Sequence, residues 1–174
     1  MNTGSNFAKA TPADLGFAMP GEWAPHSACW MAWPSPHPQW QDMAAVEGAY
    51  ADVANAIAAF EPVLMVADPV NSANARSLCA GNVEVIEMPL NDSWMRDTGP
   101  SFLRHPESGR VAGTDWRFNC WGGYYPAFQE DAQLANRVLD HLGMDAFHAC
   151  LVMEGGALHV DGEGTLVTTE SVVL

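Results

Sequence analysis

Short apolar runs alternate along this chain with stretches whose apolar residues recur at helical spacing, and no other feature narrows the fold so far. Cys29-Trp30-Met31-Ala32-Trp33, Val63-Leu64-Met65-Val66 and Val83 to Met88 are runs of strand length, too short to read as helices in their own right. Between the first two, Met43, Val46, Tyr50, Val53 and Ile57 recur at steps of three and four. That spacing predicts a helix over about 40–59 with one apolar stripe turned to a core, stopped by Pro62.

The same alternation continues. A shorter helix is expected over 72–79, a polar loop over 89–100, and a strand over 110–118 that Gly122-Gly123 break. Asp131 to Leu142 is amphipathic through Leu134, Ala135, Val138, Leu139 and Leu142, with Gly143 as its stop. A strand over 147–153 follows. Leu158-His159-Val160 and Thr165-Leu166-Val167-Thr168 then flank Gly162-Glu163-Gly164, a hairpin signal. A strand pair, a helix and another strand recur at least twice, so the class is α/β, without an accompanying sequence repeat. Residues 1–18 read as a flexible lead-in. Val172-Val173-Leu174 is apolar with neither a helix stop nor a charged tail, so the sequence reads as halting within an element.

Charge narrows the partners. With 21 acidic and 7 basic residues the formal net charge is −14, which repels phosphate backbones and anionic lipid. No nucleic acid and no membrane partner is expected; a cation such as a guanidinium would be attracted, although solubility alone selects the same composition. Four dispersed cysteines, Cys29, Cys79, Cys120 and Cys150, form no C-x-x-C pair, against a zinc ribbon or a disulfide scaffold. The polar start lacks a signal pattern and no apolar run reaches 18 residues, so a cytoplasmic location is expected.

Three segments carry candidate chemistry. Asn91-Asp92-Ser93-Trp94-Met95-Arg96-Asp97-Thr98-Gly99-Pro100 sets two aspartates, an arginine and a tryptophan between apolar strands. A carboxylate there can grip a guanidinium through two parallel hydrogen bonds, and an indole face can stack on a planar cation. An Arg96–Asp pair that merely ties down the loop would use the same letters. Met153-Glu154-Gly155-Gly156 puts a carboxylate directly after an apolar strand, with glycines that allow close backbone approach; a plain bulge would look alike. Asn119-Cys120-Trp121-Gly122-Gly123 offers either a pocket wall or a core tryptophan beside a turn. His26, His37, His105, His141, His148 and His159 share no metal-ligand spacing, and no phosphate-cradling loop or nucleophile elbow occurs. Neither a metal nor a nucleotide cofactor is expected.

Together these segments resemble the agmatine deiminases and the bacterial-type peptidyl-arginine deiminases. The resemblance is carried, in family order, by Met19-Pro20-Gly21-Glu22-Trp23 with Cys29-Trp30-Met31-Ala32-Trp33-Pro34, by Asn91 to Pro100, by Phe118 to Gly123, by Leu151 to Gly156 and by Val160 to Leu166. It implies part of a pentein fold, an α/β propeller of ββαβ-type modules, with residues 19–174 forming the amino-terminal part of a deiminase catalytic domain. It implies a hydrolase that converts agmatine and water to N-carbamoylputrescine and ammonia, as in putrescine formation, through attack of a cysteine thiolate and a covalent thiouronium. On this resemblance Asp97 and Glu154 are the carboxylates that hold the guanidinium, Trp94 is an aromatic wall of the site, and Arg96 holds the loop. Trp121 joins the substrate-binding set, and a homodimer is the implied assembly.

The departures are informative. Family members are longer chains, and both their His-x-Asp element and their nucleophilic cysteine are expected outside this sequence. His159-Val160-Asp161 matches those letters only within the hairpin. Cys120, Tyr124 and Ala157 stand where the family commonly has alanine, lysine and serine. Three readings stay open on sequence: an agmatine deiminase, a peptidyl-arginine deiminase, and a non-catalytic binding module.

Overall fold

The computed structural model describes residues 10–173. The chain divides into two compact units. One comprises Pro25–Met95 with Ala127–Asp131; the other comprises the segment up to Ala24, Arg96–Pro126 and the segment from Ala132 onward. Each unit holds one three-stranded sheet.

The first unit runs β1 (Cys29–Ala32), α1 (Met43–Ile57), β2 (Val63–Ala67), α2 (Ser72–Leu78) and β3 (Val83–Glu87). All three strands are parallel in the order β1-β2-β3, with Cys29 opposite Val63 and Val63 opposite Val83. Parallel neighbours need crossovers, which α1 and α2 supply. β2, the central strand, is apolar throughout and nearly all buried, whereas β3 exposes both of its glutamates, Glu84 and Glu87. Asp42 caps α1 by accepting from the Ala45 N–H at 3.1 Å. The expected apolar stripe on α1 is rotated. Ala51 and Ala54 are its buried residues, Tyr50 and Ile57 pack beside them, and Val53 is 52% exposed. At about 100° per residue Val53 lies on the far flank of the stripe from Ala51 and Ala54, whose small side chains allow the closer approach. Trp33, Met65 and Val63 fill the core beneath.

The second unit contains α3 (Met95–Thr98) from Arg96 onward, then β4 (Ser101–Arg104), β5 (Val111–Arg117), α4 (Cys120–Gly123), α5 (Leu134–Leu142), β6 (Asp145–Val152) and the hairpin β7 (His159–Val160) and β8 (Leu166–Val167). β4 and β5 are antiparallel, and α5 crosses over to a parallel β6, so β4-β5-α5-β6 is a ββαβ module. α5 buries Leu134, Ala135, Val138 and Leu139 and ends at Gly143 in the left-handed region, φ 62°. It packs so closely on β5 that a Cβ at Gly113 would lie 2.6 Å from Leu139 Cδ2.

Several differences from the sequence reading have plain causes. β4 is too short and polar to be seen without its partner; its pairing of Ser101 with Thr114 reveals it. The flexible lead-in does not reach residue 18: Phe17 is 5% exposed within the cluster of Leu103, Ala112 and Phe147, and Ala18 bridges Arg104. Residues 1–9 lie outside the described residues. The loop expected over 89–100 contains the α3 turn. The β5–β6 register shifts between Asp115 and Arg117, immediately before Glu154, and leaves Cys150 and Leu151 exposed. Bulges re-aim the chain in this way beside functional loops. Among the described residues no helix is long and apolar enough to cross a membrane.

Candidate active site

In the second unit the single-turn helix α3 carries Asp97, and the end of β6 carries Glu154. Buried Met153 anchors the strand. Glu154 itself is extended, φ −114°, and its side chain makes no cap bond to the 3-10 turn Gly155–Ala157 that follows. Asp97 is held from two sides: the Gly156 N–H donates to Oδ1 at 3.1 Å and the Trp121 indole N–H donates to Oδ2 at 3.3 Å.

The two carboxylates meet electrostatically. Partial burial pushes the Glu154 carboxyl above its ordinary range, and the neighbouring Asp97 charge pushes it further. The glycines make the approach possible. A Cβ at Gly155 would collide with the Arg96 carbonyl oxygen, and one at Gly156 with Asp97 Oδ1. The sequence reading of close backbone approach therefore acquires its partner: the α3 turn itself.

Trp121 reaches Asp97 through a strained turn. Cys120 and Trp121 have φ of 56° and 50°, followed by Gly122 and Gly123 at 86° and 85°, so α4 is a left-handed turn. For the two non-glycine residues that conformation costs on the order of 1–3 kcal/mol each. Asn119 offsets part of it: its Oδ1 accepts the Gly122 N–H at 2.9 Å and its carbonyl accepts the Gly123 N–H at 2.8 Å. The glycines are required to continue the turn. Trp121 packs edge-on against Phe118 at 5.2 Å and remains 38% exposed, so it is no core tryptophan. Cys120 is buried, its sulfur accepting the Tyr125 N–H at 3.4 Å, a packing position rather than a nucleophile's.

These are the same segments that carry the sequence resemblance, and the comparison with known proteins follows them from residue 18 onward. The family model of Porphyromonas-type peptidyl-arginine deiminase matches residues 18–174. The chain belongs to that family. A relative from Legionella pneumophila is 47% identical over 166 residues, covering 94% of this chain and 47% of its own length. The agmatine deiminase of Ectopseudomonas mendocina is 44% identical over 171 residues, covering 94% of this chain and 46% of its own. The solved agmatine deiminase of Enterococcus faecalis superposes with a TM-score of 0.92 at 38% identity, over 96% of this chain and 47% of that one. The fold is the α/β fold of the penteins, and the chain spans about half the length of the relatives it matches.

The other sites named from sequence in this deiminase-family chain fall out as follows. Arg96 does hold structure, but its partner is Glu22, by two bonds of 2.8 and 3.1 Å, rather than an aspartate of its own loop. His159-Val160-Asp161 is a turn device: Asp161 accepts the N–H groups of Glu163 and Thr165, and hydrogen bonds from Thr165 and Glu163 hold its carboxyl down at about 2. Trp94 belongs to the first unit, where it is 39% exposed and donates its indole N–H to Asp92 Oδ2 at 2.9 Å.

Two groups escaped the sequence reading. His148 Nδ1 lies 2.8 Å from Asp115 Oδ2, across the paired strands β6 and β5, beside a cleft of about 280 Å³ that Arg117 and Gln133 also line. In the first unit Asp131 is 4% exposed. Its Oδ1 accepts the N–H groups of Asn91 and Asp92 at 2.7 and 3.2 Å, while Asn91 Oδ1 accepts those of Glu130 and Asp131 at 2.8 and 3.4 Å. Burial pushes the Asp131 carboxyl up to about 6, against the downward pull of those two N–H donors. As the first letter of an expected helix, Asp131 looked like an ordinary N-terminal acidic residue.

Proposed function

We propose that this chain supplies the guanidinium-orienting part of a guanidine deiminase acting on agmatine, with water, to give N-carbamoylputrescine and ammonia. The observation that carries the reading is the meeting of Asp97 and Glu154 across a glycine pair. Glu154, whose proton affinity is raised by partial burial and by the Asp97 charge, is poorly matched to water alone, and two neighbouring carboxylates are well matched to a planar cation. Asp97 is the better fixed of the two, with one backbone and one indole donor, and sets the plane of the guanidinium; Glu154 completes the charge. Trp121, whose indole N–H donates to Asp97, contributes aromatic surface for the cation.

Agmatine is favoured over peptidyl-arginine by the names of the relatives in Ectopseudomonas and Enterococcus, both agmatine deiminases. The hydrolysis itself needs a thiolate to attack the guanidinium carbon and an acid to protonate departing ammonia. We assign neither role to this chain: Cys120 is committed to its turn and Asp161 to its hairpin.

Titration calorimetry at low salt tests the reading, with agmatine, putrescine and a doubly blocked arginine as ligands. Agmatine and blocked arginine should bind, and putrescine, whose ammonium cannot span two carboxylates, should bind at least about tenfold more weakly. Asp97→Asn should erase that preference. Equal affinity for agmatine and putrescine would leave only a general attraction to the net charge and sink the proposal. No ammonia should be released from agmatine by the chain alone; release lost on Cys120→Ala would make Cys120 the nucleophile after all.

A further inference from the structure

His148 and Asp115 take no part in the Asp97–Glu154 pair. They face each other across β6 and β5 just before the two strands lose register. Asp115 is opposite His148, but Arg117 is opposite Val152, so three residues of β6 span the place of one on β5. Such a bulge interrupts pairing and re-aims the side chains around it. Beside it lies the cleft of about 280 Å³, with Asp115, Arg117, Gln133 and His148 as polar lining and Phe118 and Ala132 among its apolar walls. All six residues belong to the second unit. The cleft presents its cationic groups. The Asp115 side chain is 18% exposed and that of His148 66%, so the carboxylate lies behind the ring it holds. With Nδ1 engaged by Asp115 at 2.8 Å, Nε2 is the ring nitrogen left for a ligand. The exposed Arg117 guanidinium makes no ion pair or hydrogen bond among the described residues, whereas Arg76, Arg96 and Arg110 each rest on a carboxylate. In a chain with 21 acidic and 7 basic residues, a guanidinium kept clear of carboxylates is an exception.

We propose that this cleft binds a small carboxylate, held by Arg117 and His148 with its carbon skeleton against Phe118 and Ala132. The planar fork of Arg117 matches a carboxylate through two parallel charge-assisted bonds. The His148 imidazole, when protonated, donates from Nε2 to a further oxygen, and the Gln133 amide offers an uncharged donor. The volume lies just under the roughly 300–1,000 Å³ of sites for drug-sized ligands, which limits the occupant to an acid of a few carbons. The inference stands apart from the guanidine-binding reading: its ligand carries the opposite charge, and neither Asp97 nor Glu154 lines the cleft.

The test is NMR titration of the full chain with succinate at constant ionic strength and about pH 6, where a free imidazole is largely protonated. The Arg117 Nε–H and His148 ring resonances should shift along a saturable curve with a dissociation constant on the order of 1 mM, and chloride should shift neither. Arg117→Gln should weaken succinate binding at least about tenfold and His148→Gln about threefold, each read from the resonance that remains. Arg110→Gln, which removes a guanidinium already paired with Asp145, should leave the affinity unchanged. Shifts that do not saturate, unchanged affinity in Arg117→Gln, or an equal loss in Arg110→Gln would reduce the effect to a general response to charge and overturn the proposal. Inorganic phosphate binding more tightly than succinate would overturn the assignment of a carboxylate. Should Arg117→Gln not fold, His148→Gln followed at Arg117 decides the matter, an unchanged affinity there again overturning it.

Discussion

In the second unit Asp97 and Glu154 are only partly buried, and partial burial with the Asp97 charge raises the cost of ionising Glu154; in the first, Asp92 and Asp131 are buried and spend their oxygens on backbone and indole donors. Both pairs bring two like charges close together, and the difference lies in what satisfies them. A binding carboxylate must leave a lone pair and a path for the ligand, so it accepts few internal bonds and tolerates an unfavourable neighbour until a cation arrives. A structural carboxylate has no arriving ligand. Its desolvation must be met by donors already in place, as the Asn91 and Asp92 N–H groups do for Asp131.

The largest expected effect breaks the first pair. In a protein that carries this chain together with the remaining length of its relatives, Asp97→Asn should lower turnover of agmatine by roughly thirty- to a thousand-fold, the equivalent of about 2–4 kcal/mol for a lost charge-assisted pair. Near-normal steady-state kinetics would make both carboxylate pairs structural and erase the contrast.

Next comes the buried pair, where the charge and the acceptor can be separated. Asp131→Ala should be less stable than Asp131→Asn by about 2–3 kcal/mol in urea, because two buried N–H groups lose their acceptor. The pH dependence has the opposite flavour. A folded-state carboxyl raised to about 6 from 3.8 contributes stability that is complete below the unfolded value and is lost as pH rises through 6, on the order of 2–3 kcal/mol. Melting temperature should therefore fall between pH 4 and 7 by more in the unsubstituted chain than in Asp131→Asn.

Two smaller effects sharpen the contrast within the exposed pair. Gly155→Ala should destabilise by roughly 1–3 kcal/mol, since its Cβ meets the unyielding Arg96 carbonyl; circular-dichroism melts would detect it. Trp121→Phe keeps the ring and removes the 3.3 Å bond to Asp97. It should weaken agmatine binding only about two- to tenfold, and an unchanged affinity would assign the hold on Asp97 to Gly156 alone.

Helix α5 and strand β2 were legible in the sequence because their signals are local: an apolar period of 3.6 residues or an unbroken apolar run survives in any context that offers a core. Gly143 stopped α5 as expected, since only a residue without a Cβ takes φ 62° at no cost. Strand β4, the rotation of α1 onto Ala51 and Ala54, and the packing of Phe17 were not legible, because each depends on what lies opposite. The site divides in the same way. Asp97, Glu154 and the glycine pair were candidates by their letters, which are chemically unusual where they stand. That the glycines admit the α3 turn, that Trp121 reaches Asp97 from a left-handed turn, and that Asp131 grips Asn91 and Asp92 forty positions away were decided by tertiary structure alone. A hydrogen bond between distant segments leaves no periodic trace in either, since its strength depends on a few ångströms of separation and on exclusion of water, and neither exists until the chain has folded.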